Sequence, residues 1–129
     1  MENTLKQVIY FEDENDMVEL VRIILGREGY HVEGVSEGRA GLKLVKENLP
    51  DIVLLDLMMP DMDGWEIYRQ LKNDDKTTDI PVIVITAKAQ SIDKVLGLEI
   101  AKVDDYISKP FRPHELIARV DKVLAEKDK

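Results

Sequence analysis

Three acidic residues stand where apolar runs stop: Glu12 and Asp13 after "QVIYF", and Asp56 after "DIVLL". Carboxylates gathered at neighbouring strand ends repel one another, and a divalent cation among them relieves the repulsion. Magnesium suits such a place, because it takes a few carboxylates together with waters and phosphate oxygens. Thr86 closes the later run "IPVIVIT" and could donate its hydroxyl to a phosphate oxygen. Lys109, directly before Pro110, could hold an anion such as a phosphoryl group beside the metal. Each has an ordinary alternative. Thr86 is a β-branched strand residue, Lys109 a surface lysine balancing local charge, and Asp13 and Asp16 candidate caps for a first helix. Asp61 reads as a solvated turn residue, and Asp63-Gly64 as a turn dipeptide. Singly these signals are weak; their coincidence on one edge is the stronger observation.

The elements that must place them follow from apolar periodicity. Short buried runs at 7–12, 31–35, 51–56, 80–86 and 105–109 read as strands. Between them, helical spacing recurs. Met17, Leu20, Val21, Ile24 and Leu25 make one face, and Gly29 suits the chain reversal after it. Ser36 is a candidate cap for a second helix, with Ala40, Leu44 and Val45 inward. "WEIYRQLKN" after Gly64 forms a third, with Ile67 and Leu71 one turn apart. Ile92, Val95, Leu96 and Ile100 mark a fourth, and Leu116 to Leu124, after Pro113, a fifth. Alternating strands and helices predict an α/β architecture, a parallel sheet with helices on both faces and right-handed crossovers. Ligands of such sheets bind beyond the carboxyl ends of the strands, where the strand order reverses. Glu12, Asp13, Asp56, Thr86 and Lys109 all fall at those ends.

Composition narrows the function classes. The 129 residues are 44% hydrophobic and 34% charged, an ordinary mix for one domain over 1–129. There is no cysteine, which excludes disulfides and thiolate metal sites. A net charge of −8 argues against holding nucleic acid by its phosphates. No apolar run is long enough to cross a membrane, and "MENTLKQVIY" lacks the apolar core of a signal peptide. A reducing, cytoplasmic setting fits.

The stretches "FEDE", "DIVLLDLMMPDMDGWE", "PVIVITAK" and "DDYISKPF" resemble the receiver domain of two-component response regulators, in order and across essentially the whole chain. The resemblance implies a doubly wound, flavodoxin-like fold of five parallel strands, order 2-1-3-4-5, with five helices. It implies that Asp56 is the phospho-acceptor for a sensor histidine kinase. Glu12 and Asp13 match the acidic pair that holds Mg2+, with the backbone carbonyl of Met58 as a further ligand. Thr86 matches the switch hydroxyl, Lys109 the site lysine and Tyr106 the switch aromatic, and the peptide before Pro110 is expected to be cis. Such a domain is no enzyme toward a separate substrate; it catalyses only its own phosphorylation and dephosphorylation. Its output surface is the fourth helix, fifth strand and fifth helix. Relatives pair through that surface when phosphorylated, with Lys94, Asp104, Asp105, Glu115 and Arg119 at the matching charged positions.

Some residues depart from the pattern. "IAKVDDY" is one residue longer than the small pair usual before "DDY", which predicts a reshaped loop around Lys102 and Val103. Met58 and Lys88 flank the acceptor, and neither can orient a water as a carboxamide could, so a long-lived phosphoryl group is expected. Small Ala87 leaves the site open to a phosphodonor. His31 and His114 read as surface residues, and Trp65 as structural. Other classes fit less well. A phosphatase of the aspartyl-phosphate kind wants a second Asp where Met58 stands, a nuclease wants a basic track, and a nucleotide binder wants a Gly-rich loop.

Overall fold

Strand β1 (Lys6–Phe11) sends Val8 and Tyr10 to one face of the sheet and Ile9 and Phe11 to the other, as the two-residue period of a strand requires. All four are buried, so helices must cover both faces. The computed structural model describes residues 5–87 and 101–127. Beside β1 lie β2 (Tyr30–Val35), β3 (Ile52–Leu55), β4 (Val82–Thr86) and β5 (Asp105–Ser108), all parallel, in the order β2-β1-β3-β4-β5. This is the flavodoxin-like arrangement, with its reversal between β1 and β3.

Helix α1 (Asn15–Gly26) and the C-terminal helix α4 (Pro113–Lys127) cover the Val8 face. Helices α2 (Gly38–Asn48) and α3 (Gly64–Asn73) cover the Ile9 face. Four helices therefore lie among the described residues. The expected helix over 91–100 falls outside them, and with it Lys94 and, upstream, Lys88.

Two expectations about helix faces need correction. Leu20 is 44% exposed, so the buried face of α1 is Val18, Val21, Ile24 and Leu25. In α2 the inward residues are Gly38, Gly41, Leu42 and Val45, while Ala40 is exposed and Leu44 only half-buried. The reason is steric. A Cβ on Gly41 would sit 2.2 Å from the Phe11 ring, so the bare glycine lets α2 settle directly on β1. Neither expected serine nor aspartate cap forms. Glu14 and Glu37 occupy the cap positions of α1 and α2, without side-chain caps of their own.

Beyond the strand ends

Asp56 lies immediately after β3, and the chain there is still buried. Its Oδ1 accepts hydrogen bonds from the Met58 N–H at 2.9 Å and from the Thr86 hydroxyl at 3.0 Å. Its Oδ2 accepts from Lys109 Nζ at 2.8 Å. The same ammonium donates to Oε1 of Glu12, the first residue beyond β1. Thus β1, β3, β4 and the segment after β5 each deliver one polar side chain to one point, at the reversal of strand order. The Lys109–Pro110 peptide is cis, as expected.

Three of these side chains are taken out of water almost completely. Glu12 is 1% exposed, Asp56 7% and Lys109 10% in their side chains. Burial pushes the Glu12 carboxyl up, and the Lys109 ammonium only partly offsets it. Burial acts on Asp56 in the same direction, but Lys109 and the Met58 N–H overcome it and hold Asp56 below its usual value. Burial alone would lower Lys109; hydrogen bonds to Asp56 and Glu12 raise it instead. One ammonium thus bridges two buried carboxyl groups.

Asp13 stands next to Glu12 and is exposed. Glu12, Asp13, Asp56 and the Met58 carbonyl offer only oxygen donors, the chemistry of a hard cation such as magnesium. Among the described residues no three Asp, Glu or His side chains close into a cage. The fit to magnesium rests on the chemistry of these oxygens at an open strand edge, where waters and phosphate oxygens would complete the shell. Met58 points its side chain outward, 60% exposed, while Ala87 is exposed at the end of β4.

The loop over the site does more than turn. Asp63 accepts from the Trp65 N–H at 3.2 Å and so caps α3. Gly64 is required there, because a Cβ would lie 2.4 Å from the Leu57 Cα. Asp61, expected to be merely solvated, reaches across to α2. It accepts from the Gly38 N–H at 2.7 Å and the Arg39 N–H at 3.2 Å, supplying the cap that Glu37 does not. These bonds hold its carboxyl below the usual carboxylate range. Trp65 packs edge-on against Tyr68, with centroids 6.2 Å apart.

Tyr106 is buried in β5. Beside it, Arg119 of α4 donates to Asp105 at 2.7 Å and lies 3.6 Å from Glu115, so it is satisfied within its own chain. Asp104 is turned away, accepting from the Val82 N–H at 2.8 Å. The loop before β5 has one unusual backbone feature. Lys102 adopts a left-handed backbone with φ of 62°, a conformation that favours glycine, and Val103 is buried. His31 and His114 are exposed.

Residues 8–121 match the model of the response regulator receiver domain. The DNA-binding response regulators MtrA of Mycobacterium bovis and Mycobacterium tuberculosis are 39% identical over 128 residues, which is 99% of this chain and 54% of theirs. The chain therefore spans about half the length of these curated relatives. A signal receiver domain of a signal transduction histidine kinase from Syntrophus aciditrophicus superposes with a TM-score of 0.84 at 32% identity, over 94% of this chain and 91% of that one. A CheY-like response regulator receiver domain protein from Methanospirillum hungatei superposes with a TM-score of 0.87 at 27% identity, over 97% and 98% of the two chains. Among the described residues no helix is long and apolar enough to cross a membrane.

Proposed function

The chain belongs to the response regulator receiver family of two-component signalling, and from that premise we propose that Asp56 is its phospho-acceptor, charged by a sensor histidine kinase. The observation that carries this reading is the Lys109 ammonium, which bridges buried Asp56 and buried Glu12 beyond the strand ends. A carboxylate attacks a phosphate dianion poorly because like charges repel. An Asp56 oxygen forms the new O–P bond as the bond to the donor breaks, and Lys109 stabilises charge on the transferring oxygens. Glu12, Asp13, Asp56 and the Met58 carbonyl would hold magnesium, which supplies the remaining electrostatic screening. Asp56 follows directly on β3, and its bonds from the Met58 N–H, the Thr86 hydroxyl and Lys109 orient the carboxylate.

Phosphorylated Asp56 carries about two negative charges. Thr86 already donates to this carboxylate and follows the phosphoryl oxygens. Buried Tyr106 is the neighbour whose packing that movement alters, and the surface of β5 and α4 changes with it. The turnover is confined to the chain's own Asp56, and exposed Met58, unable to orient a water, favours a long-lived phosphoryl group. A cytoplasmic setting, where kinase and phosphodonors meet the domain, belongs to the same proposal. With a net charge of −8, the partner of this chain is protein and not nucleic acid.

Incubation with magnesium and acetyl phosphate should raise the intact mass by one phosphoryl group. Absence of any gain, with the protein folded, would overturn the reading. Asp13→Ala separates the metal role from the acceptor role. It should weaken magnesium affinity at least about tenfold, and raise the melting temperature of the metal-free protein by thinning the negative charge around Asp56. Unchanged affinity by calorimetry would remove Asp13 from the metal site. Phosphorylation-dependent pairing of two copies is part of the output proposal. Arg119 would exchange Asp105 of its own chain for an acid of the second copy, making an isologous contact. Light scattering should then show the mass doubling on phosphorylation. A phosphorylated protein that stays monomeric at high concentration would leave a separate protein partner as the output.

A further inference from the structure

We propose that Tyr10 is a positioning residue of the acceptor site: its hydroxyl holds Glu12, and so frees Lys109 to follow the phosphoryl group. The proposal rests on Asp56 being the phospho-acceptor. Tyr10 is fully buried in β1, two residues before Glu12 and therefore on the same face of the strand. Its layer is apolar, with Val8, Leu54, Ile85 and Leu116. Phenylalanine would fill nearly the same volume there with no polar group to satisfy, so packing does not account for the hydroxyl. What the hydroxyl does is donate to Glu12 Oε1 at 3.1 Å.

Glu12 is thus held by three donors. Tyr10 and Lys109 share Oε1, and the Glu14 N–H reaches Oε2 at 3.1 Å. Only Lys109 also serves Asp56. A phosphoryl group on Asp56 draws the ammonium to its oxygens, and Glu12 Oε1 then loses a charged donor in a buried place. Losing the last donor to a buried carboxylate oxygen is costly. The Tyr10 hydroxyl keeps that oxygen bonded as the ammonium leaves. Without it, Oε1 would depend on Lys109 alone and would retain it against the incoming phosphoryl group.

Tyr10→Phe reads this out in two quantities that move apart. The initial rate of phosphorylation by acetyl phosphate at saturating magnesium should fall about tenfold, the order expected for one hydrogen bond to a charged group. Magnesium affinity of the unphosphorylated variant, by calorimetry, should be at least as tight as in wild type, because a less satisfied Glu12 attracts a cation more. A general loosening of the core would weaken both. A wild-type rate in Tyr10→Phe, or a rate and an affinity that fall together, would overturn the proposal while leaving the acceptor intact. A wild type that gains no phosphoryl mass would overturn the acceptor reading and this proposal with it.

Discussion

Asp56→Asn is expected to gain no phosphoryl group under conditions where wild type gains one. The substitution is nearly isosteric, so the test isolates charge and nucleophilicity. An amide oxygen at this position could still accept from the Met58 N–H and the Thr86 hydroxyl, as Oδ1 does now. The amide nitrogen, however, would face Lys109 Nζ, a donor against a donor, where Oδ2 now accepts at 2.8 Å. The variant keeps its backbone setting and loses both the attacking carboxylate and one half of the ammonium's hold. Labelling by acetyl phosphate should fall at least about a thousandfold, the scale on which removal of a nucleophile acts. Intact mass gives the extent, and peptide mapping gives the position. Slow labelling of exposed Asp13 is compatible with the assignment; labelling of the variant at a rate comparable to wild type is not.

Asp56 was legible in the sequence for a physical reason. A strand whose side chains are all buried, ending on an acid, must pair that acid with something, and Lys109 and Thr86 are that something. The sheet order, the cis peptide and the cluster at the strand ends all followed from motifs that sit in single short stretches. Asp61 was not legible, because its partners Gly38 and Arg39 lie more than twenty residues away and no local spacing points to them. The inward face of α2 was misjudged for a related reason. Hydropathy has no signal for a glycine that is buried by close backbone approach, so Gly38 and Gly41 went unread and Ala40 took their place. Tyr10 was not legible either: its spacing of two from Glu12 was the only available signal, and the partner of its hydroxyl shows only in the structure. Lys102 shows the opposite case. The extra residue before "DDY" was visible, but only the backbone shows that its strain is taken by a lysine in a glycine-like conformation.

Lys109→Ala should unfold more easily at neutral pH by roughly 3 kcal/mol, the low end of the cost of breaking a buried ion pair. The low end applies because the lysine side chain is 10% exposed at an open edge, where water can reach the orphaned acids. What remains in the variant is Glu12 and Asp56, buried and facing each other across the gap the ammonium filled. The pH dependence identifies the cause. In wild type, Asp56 is held below its usual 3.8, so its contribution is present above that pH and is lost as pH falls through the lower folded value. Glu12 is held above its usual 4.5, so wild type already gains a little from protonating it as pH falls. Lys109 is raised above its usual 10.5; its contribution is complete below that pH and is lost only as pH rises through the folded value. In the variant no cation opposes burial, so both carboxyls should rise. The folded state then binds more protons than the unfolded one, and the variant gains stability on acidification. The difference between the two proteins should therefore be large at pH 7 and shrink steadily toward pH 4.5, without any change in the slope of unfolding against urea. Urea titrations of both proteins across that range, in the absence of metal, make the comparison. A deficit that is the same at both ends would mean that lost packing, not two stranded carboxylates, weakens the variant, and the charge bridge would cease to explain how this site is held.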